Sequence, residues 1–476
     1  MEVAVKQADL ADAGVDLAVV GLLDGGELPA GVTDAAGADA AKSGFKKLSL
    51  LRPDGFPPVL VVGLGKGEEL DAERLRLAAA VAAKEAGRLE AKSIAWALPD
   101  GLDPEAAADA VVTGTILASY RFDRFKSGDG DDAKRIVSLA LLGPDETTEA
   151  AERARVAAEA QNRARDLQST PANFATPTAL AERAEEIAAG SDALSVEIFG
   201  RAELEEKGMG GILAVSQGGP QEPKLIVLRY SGGGSGPRLG FVGKGVTFDT
   251  GGISLKPGAG MQEMKMDMSG AAAVLEAVAA IAELRLPLDL IAVVPSTENM
   301  PSGTAIKPGD VITHYNGTTV EVNNTDAEGR LILADALAYA VEQGAERIVD
   351  LATLTGAVVI ALGSTYAAVI SNDDALAAQV VRAGAETGEL AWRLPLHPEY
   401  KELMKGTVAD LSNLAKQRKA GTITAGSFLE EFVGETPWAH VDIAGTAWDV
   451  GREYVGKDAS GFGVRLLVEL ARRHAA

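Results

Sequence analysis

The stretch that organises this sequence reads Asn324-Thr325-Asp326-Ala327-Glu328-Gly329-Arg330-Leu331. An apolar run that favours helix continues from its last residue to about Ala340. Taken alone, the two acids are compatible with a plain helix start, in which Thr325 or Asp326 is the N-cap and Glu328 lies in the first turn. A functional interpretation therefore needs support from elsewhere in the chain.

A second segment, residues 243–252, begins about eighty residues upstream in a Gly- and Ser-rich stretch. This stretch separates the apolar residues 239–242 from a helix-like run over residues 270–284. The charged residues of interest in it are Lys244, Asp249, Lys256 and Asp267. Open α/β sheets place their chemistry where a strand ends and a helix begins. We therefore expect the two segments to meet in one crevice.

The chain as a whole predicts an α/β protein with two domains, because 476 residues exceed one ordinary hydrophobic core. Short apolar segments alternate with alanine-rich helices over residues 1–150, which indicates a smaller N-terminal α/β domain with a largely parallel sheet. A charged helix over residues 151–170 is predicted to connect it to a larger C-terminal α/β domain, residues 171–476. Both charged segments belong to this larger domain, which we therefore expect to carry the functional site.

The composition argues against several functions. The sequence has no cysteine, which excludes disulfides, thiolate metal sites and a cysteine nucleophile. Its net charge of −23 argues against nucleic-acid or anionic-membrane binding, since both need a basic surface. Residues 1–9 lack a signal-peptide pattern, and the longest apolar stretch, residues 357–370, is too short to span a bilayer. We therefore expect a cytoplasmic protein.

Two further features are given structural roles. The acidic stretch over residues 127–132 resembles part of a calcium loop but lacks its closing glutamate, so it is predicted to be a surface loop. The four histidines are scattered without the i,i+4 spacing of a helical zinc site, and His440 is predicted to be structural. Any metal chemistry must then rest mainly on carboxylates.

Converging carboxylates would repel one another and raise each other's pKa unless cations compensate them. The four candidates are Asp249, Asp267, Asp326 and Glu328. Two divalent ions would balance them, and a metal pair can activate a water that attacks an amide carbonyl. Two-metal hydrolysis of a phosphoester is the alternative, although no basic cluster beyond Lys256 and Arg330 is available for a phosphate.

These residues give the chain a resemblance to the leucyl aminopeptidases (cytosol aminopeptidases) of the M17 metallopeptidase family. Residues 324–331 match the family signature at every position, and the upstream charged residues fall at the family's spacing. The resemblance covers the C-terminal two thirds of the chain. It implies an enzyme that releases leucine and other apolar N-terminal residues from peptides, assembled as a homohexamer of two stacked trimers.

Some family members also bind DNA, which raises a DNA-binding or regulatory role for residues 1–150. Acidic residues outnumber basic ones there by roughly ten, so the charge of this segment argues against that role.

The resemblance also implies a set of metal ligands. One divalent ion, Mn²⁺ or Zn²⁺, would be held by Lys244, Asp249, Asp267 and Glu328. The second would be held by Asp249, Glu328 and both the side chain and the main-chain carbonyl of Asp326. As a ligand, Lys244 can bind only as the neutral amine, because an ammonium has no lone pair.

Further roles follow from the same resemblance. Lys256 would polarise the scissile carbonyl and stabilise the developing oxyanion. Arg330 would bind a bicarbonate ion that acts as general base, which suits the planar fork of a guanidinium. The pocket for the substrate side chain would be lined by Met264, Thr353, Gly356 and Ala444, each of which is equally compatible with plain core packing.

Overall fold

The computed structural model describes residues 1–127, 135–417 and 419–475. The chain forms two compact units. The first comprises Met1–Asn162 and Gly451–Gly456, and the second comprises Arg163–Val450 and Lys457–Ala476. The predicted α/β class, with a smaller N-terminal and a larger C-terminal part, is confirmed. The loop predicted over residues 127–132 lies, from residue 128 onward, outside the described residues.

The first unit contains one sheet and its helices. Its strands are β1 (Glu2–Lys6), β2 (Leu17–Leu23), β3 (Leu48–Leu51), β4 (Val59–Gly65), β5 (Ser93–Ala97) and β6 (Ser138–Leu142). Its helices are α1 (Ala72–Arg88), α2 (Pro104–Ala118) and α3 (Thr148–Ser169), and the division between the units falls within α3. The strand order is β1-β6-β5-β2-β4-β3, and every pair is parallel except β3 with β4. Alternate strand residues enter two apolar clusters, so the sheet is buried on both faces.

Residues 451–456 belong to the first unit although they are distant from it in sequence. Tyr454 is 1% exposed and packs in the same apolar cluster as Trp96. Its hydroxyl donates a hydrogen bond to Oε1 of Glu73 at 2.9 Å. The hydrophobic pattern of the sequence does not indicate that residues 451–456 belong to the first unit.

The second unit contains a large and a small sheet. The large sheet has β7 (Leu194–Phe199), β8 (Lys224–Ser231), β9 (Leu239–Gly243), β10 (Gly245–Asp249), β11 (Asp289–Asn299), β14 (Arg347–Ala352), β15 (Ala367–Ser371), β16 (Ala391–Arg393) and β18 (Trp438–Asp442). The small sheet has β12 (Asp310–Thr313), β13 (Thr319–Val322) and β17 (Leu411–Ser412). The helices are α4 (Pro177–Ala189), α5 (Arg201–Lys207), α6 (Gly210–Ser216), α7 (Ser269–Glu283), α8 (Gly329–Glu342), α9 (Gly356–Leu362), α10 (Asp374–Thr387), α11 (Pro398–Glu402), α12 (Gly421–Glu430) and α13 (Val464–Ala475).

The centre of the large sheet is parallel. Its order is β16-β15-β18-β14-β9-β11-β8-β7, with β10 paired to the far end of β11. Strands β18, β14, β9 and β11 all run in one direction, whereas β8 and β15 run against their inner neighbours. The carboxyl ends of four strands therefore meet at one edge, the place where open α/β sheets bind ligands.

Helix α8 lies at the core of this unit. Its residues from Gly329 to Ala340 are all buried, which requires an apolar sequence on every side of the helix. Asp335 is one polar exception, and it accepts hydrogen bonds from the main-chain N–H of Ile212 at 3.0 Å and from the Tyr315 N–H at 3.0 Å. Arg330 is the other exception and belongs to the site described below.

Two buried histidines pair with buried aspartates. Nδ1 of His314 is 2.8 Å from Oδ1 of Asp335, and Nδ1 of His440 is 2.6 Å from Oδ1 of Asp350. The indole of Trp438 donates to the second oxygen of Asp350 at 2.6 Å. His440 is fully buried in this network, as expected for a structural residue.

Among residues 1–127, 135–417 and 419–475, none of the helices combines the length and the apolar character of a bilayer-spanning segment.

Candidate metal centre

The charged residues predicted from the sequence meet at the carboxyl edge of the large sheet. Lys244 directly follows β9, Asp249 ends β10, and Asp267 lies in a 3-10 helix, Met261–Met268. Asp326 and Glu328 lie in the turn before α8. Asp326 is half-buried, and the other four are at most 4% exposed. The strand order thus brings together residues that are up to 84 positions apart in the sequence.

Lys244 is enclosed by two carboxylates. Its Nζ lies 2.8 Å from Oδ1 of Asp267 and 2.8 Å from Oε1 of Glu328, and it donates to the Thr353 carbonyl at 3.0 Å. A Cβ on Gly329 would lie 2.7 Å from Lys244 Cε, so glycine allows the lysine to pass over the start of α8. Burial alone lowers the pKa of Lys244, but attraction to Asp267 and Glu328 raises that pKa above its ordinary value.

Lys256 forms the second pair of contacts. Its Nζ lies 2.7 Å from Oδ2 of Asp249 and also contacts Oδ1 of Asp326. Its side chain is 22% exposed, so it combines these ion pairs with access to solvent. Burial opposes the charge on Lys256, but Asp249 raises its pKa.

The cluster fits divalent cations. Asp249, Asp326 and Glu328 each place an oxygen within 4.8 Å of the others. When all four are ionised, the carboxylates exceed the two ammonium groups that contact them by two negative charges in a largely buried space. Burial is the main cause that raises the pKa of Asp249 to about 6 and that of Asp267 to about 8, with repulsion from neighbouring carboxylates adding to it. Excess negative charge on oxygen ligands is what Mn²⁺ and similar ions neutralise.

The plain N-cap interpretation of Thr325 and Asp326 is wrong. Helix α8 begins at Gly329 with Glu328 at the N-cap, and no side chain caps it. The Thr325 hydroxyl instead donates to the Gly251 carbonyl at 2.6 Å. Both acids of the turn therefore contact lysines rather than the helix N-terminus.

Two glycines allow this close approach. Gly251 and Gly252 have φ values of 85° and 62°, which side chains rarely permit. A Cβ at Gly251 would lie 2.8 Å from Oδ1 of Asp326, and one at Gly252 would lie 2.8 Å from Oδ1 of Asn299. Larger residues would therefore push the turn away from β10.

Arg330 is buried beside the cluster with unused hydrogen-bonding capacity. It is 7% exposed, and its Nη1 donates to the Asn413 carbonyl at 2.8 Å. Its Nε is buried and, among the described residues, has no hydrogen-bond partner. Burial lowers the pKa of Arg330 to about 10, against the attraction of Glu328 and Asp442. A positive charge at a helix start is unfavourable, so an anion at this N–H would stabilise it.

The residues predicted to form the substrate pocket lie on or beside β14, the 3-10 helix, α9 and β18. Thr353 follows β14, and its hydroxyl donates to Oδ1 of Asp267 at 2.7 Å. Met264 is half-buried on the 3-10 helix that carries Asp267. Gly356 is the exposed first residue of α9, and Ala444 is half-buried after β18. Of these four residues, Thr353 is the one with a hydrogen bond to the acidic cluster in the part of the chain that the structure describes.

Sequence reasoning missed the buried polar residues that hold these loops. Oδ1 of Asp442, the last residue of β18, accepts hydrogen bonds from the N–H of Leu354 at 3.1 Å and of Ala444 at 3.2 Å. Asn299 and Asn413 likewise contact the turn before α8. Asp442 and Asn299 lie at the carboxyl ends of β18 and β11, which is a usable signal once the ends of these strands are known, but no motif marks Asn413.

The fold and the cluster define a candidate metallohydrolase, and comparison with known proteins supports this class. A profile of the cytosol aminopeptidase family, catalytic domain, matches residues 162–468, and a profile of the family's N-terminal domain matches residues 36–129. A probable cytosol aminopeptidase of Roseiflexus castenholzii is 45% identical over 485 residues, covering 99% of both chains. Another, from Geobacter sp. strain M21, is 50% identical over 421 residues, covering 87% of this chain and 85% of that relative.

Solved structures show the same relationship. A mutant of tomato leucine aminopeptidase superposes with a TM-score of 0.89 at 35% identity, covering 99% of this chain and 96% of that one. The bottromycin maturation enzyme BotP in complex with Mn superposes with a TM-score of 0.88 at 36% identity, covering 97% and 100%. The chain therefore belongs to the M17 cytosol aminopeptidase family, whose members are metal-dependent aminopeptidases and thus hydrolases.

Proposed function

We propose that this protein removes leucine and other apolar residues from the N-termini of peptides with two divalent metal ions. The observation that carries the proposal is the cluster of carboxylates and lysines at the carboxyl edge of the large sheet. There, two lysines contact four carboxylates that remain short of positive charge. The structural similarity to a leucine aminopeptidase supports the substrate class.

The proposed ligands fall into two overlapping sets. One ion would be held by Lys244, Asp249, Asp267 and Glu328, and the other by Asp249, Asp326 and Glu328. When bound, two such ions supply Lewis-acid activation of a water and of the scissile carbonyl. Mn²⁺ or Zn²⁺ is the proposed metal, and the Mn complex of BotP supports the first choice.

Lys256 and Arg330 are the proposed catalytic residues. Lys256 is held by two carboxylates and partly exposed, so its N–H groups can donate to a carbonyl oxygen whose charge grows during attack. Arg330 has a buried Nε without a partner among the described residues, which suits a small planar anion such as bicarbonate. The bicarbonate would act as general base.

Substrate selection would depend on the loops after β14 and β18. A free N-terminal amine would be recognised near Asp267, beside the Thr353 hydroxyl. Met264, Thr353, Gly356 and Ala444 would line the pocket for the first side chain. Phosphoester hydrolysis fits less well, because both lysines of the cluster already pair with carboxylates, which leaves little positive charge for a phosphate. We further propose that the protein is cytoplasmic and homohexameric.

The reaction can be tested with leucine p-nitroanilide and its N-acetylated form, before chelation, after chelation and after return of Mn²⁺. We expect turnover of the free amine only, lost with the metal and restored by it. Equal turnover of both compounds would remove the aminopeptidase assignment, because the amine would then not be recognised. Anilides of lysine and glutamate serve to test the apolar preference, which predicts slower cleavage of both.

A further inference from the structure

The turn that carries Asp326 and Glu328 is held by neighbours from outside the family signature. Its residues, 323–328, place two carboxylates close together, and this arrangement needs compensation from the surrounding structure. Buried main-chain groups also require hydrogen-bond partners, and a turn cannot supply all of them itself. The partners of this turn therefore determine where its carboxylates lie.

Asn413 supplies most of these partners from one side. Its amide nitrogen donates to the carbonyls of Asn324 at 2.6 Å and Ala327 at 3.3 Å. Its amide oxygen accepts from the N–H groups of Asn323 at 2.8 Å and Asn324 at 3.2 Å. Its own carbonyl accepts from Nη1 of Arg330 at 2.8 Å. Asn413 is fully buried, so these bonds do not compete with water.

Asn299 holds the turn from the other side. Its amide nitrogen donates to the Thr325 carbonyl at 3.0 Å and to Oδ1 of Asp249 at 2.8 Å. The two asparagines thus occupy the carbonyls of residues 324, 325 and 327. Within the described parts of the chain, no hydrogen bond reaches the carbonyl of Asp326. Within residues 324–327, the Asp326 carbonyl, which is proposed as a metal ligand, is therefore the carbonyl that neither asparagine contacts.

We propose that Asn413 and Asn299 are positioning residues that clamp the turn between two amide groups. The clamp directs the Asp326 carboxylate and carbonyl at the cluster, and the Asn413 carbonyl sets the distance between Arg330 and the same carboxylates. This inference rests on the proposed function for its catalytic consequence, but its effect on metal binding does not require any reaction.

Asn413→Asp is the sharpest test. The variant keeps the shape and the acceptor towards Asn323, but it replaces the donor that contacts the carbonyls of Asn324 and Ala327 with an oxygen. Substitution of a residue that orients a metal ligand typically lowers metal affinity or activity by about 10- to 100-fold. We expect Mn²⁺ affinity, measured by calorimetry on the metal-free protein, to fall by about that factor. With saturating Mn²⁺, kcat should fall by a similar factor while KM changes by less than about threefold.

Asn372→Asp is the control for the bonding pattern, at an asparagine that is exposed rather than buried. The Asn372 amide also bridges two main-chain groups, donating to the Thr436 carbonyl at 3.0 Å and accepting from the Trp438 N–H at 2.8 Å. It follows β15, which is antiparallel to β18, so it lies at the opposite edge of the sheet. We expect it to keep wild-type Mn²⁺ affinity and kcat. Asn413→Ala provides a second variant without the introduced charge, should Asn413→Asp not fold.

The outcomes separate the two proposals. If either folded Asn413 variant binds Mn²⁺ and turns over like wild type, with only a lower Tm, the clamp is merely structural and the inference is overturned. A wild-type protein that binds Mn²⁺ but does not cleave leucine p-nitroanilide overturns the proposed function instead. The affinity comparison between the Asn413 and Asn372 variants would then still decide the role of the clamp.

Discussion

Lys256 differs from Lys244 in its exposure, and this difference predicts different consequences of substitution. Lys256 is partly exposed, and removing it frees Asp249 and Asp326 of their cation. Lys256→Ala should therefore keep its metal while kcat falls by about two to three powers of ten, the usual loss for an oxyanion donor. Metal analysis and steady-state kinetics measure both quantities.

Lys265→Ala is the control for this prediction. Lys265 lies on the same 3-10 helix as Asp267, but its Nζ donates to the Ser169 carbonyl at 2.8 Å. Its removal should leave kcat unchanged. Loss of metal or unfolding in Lys256→Ala would show that the assigned role is wrong.

Lys244 must lose its proton to become a ligand, although its neighbours favour the charged form. Lys244→Arg keeps the charge but cannot deprotonate, so it should lose the ion shared by Asp267 and Glu328 while the protein stays folded. Inductively coupled plasma analysis of metal per chain measures this loss. Lys224→Arg, at a lysine paired with Glu222 at 2.6 Å, should keep both ions. Full occupancy in Lys244→Arg would contradict the ligand assignment.

The raised carboxyl pKa values predict how metal stabilisation depends on pH. The folded-state pKa is about 6 for Asp249 and about 8 for Asp267, above the ordinary value, chiefly because both are buried. In the metal-free protein, both carboxyl groups contribute to the stability of the fold below their unfolded-state pKa, where they are protonated. This contribution is lost as the pH rises through about 6 for Asp249 and about 8 for Asp267. Metal binding must displace the same protons, so stabilisation by Mn²⁺ should increase with pH.

Calorimetric scans with Mn²⁺ and with a chelator should show a Tm difference that grows from about pH 5 to about pH 8.5. Asp267→Asn should flatten this dependence, because it removes the group with the higher pKa. A Tm difference that is constant over the range would refute the proton displacement.

At the scale of elements, the start of α8 is shaped by Lys244 rather than by helix propensity. Alanine favours a helix over glycine by about 1 kcal/mol. At Gly329, however, the added Cβ would lie 2.7 Å from Cε and 2.8 Å from Nζ of Lys244. Gly329→Ala should therefore lower both Tm and Mn²⁺ affinity. Gly258→Ala, where a Cβ meets nothing within 4 Å, should change neither, and a more stable Gly329→Ala protein would count against this packing argument.

At the scale of the whole molecule, α9 exposes an apolar surface beside the proposed pocket. Ile360 is 91% exposed and Val359 is 44% exposed. We expect this surface to be covered in the proposed homohexamer, so Ile360→Asp should shift the mass measured by light scattering to smaller species. Leu50→Asp, at an exposed leucine of the first unit, is the control. An unchanged hexamer in Ile360→Asp would place the interface elsewhere.

Much of the fold is readable from local pattern. The alternation of apolar segments and alanine-rich helices predicts the α/β class. The apolar residues 239–242 lie within β9, Leu239–Gly243, and the helix-like run over residues 270–284 corresponds to α7, Ser269–Glu283. The position of Lys244 after one strand and of Asp326 before α8 also follows from this pattern. The assignment of residues 451–456 to the first unit does not, because Tyr454 is recruited by packing and by one hydrogen bond to Glu73.

The sequence by itself determined the α/β class, because the periodicity of apolar residues is a property of chain order. The resemblance carried by residues 324–331 and the upstream charged residues indicated the family and implied the candidate ligands. Only the tertiary structure decided that Lys244 lies between Asp267 and Glu328 and that Lys256 lies between Asp249 and Asp326. It alone also placed Asn413 against the turn. These contacts depend on which strands are neighbours in the large sheet. A largely parallel sheet must be covered on both faces by helices, so its strand order depends on how the whole domain packs and cannot be read from one segment of the sequence.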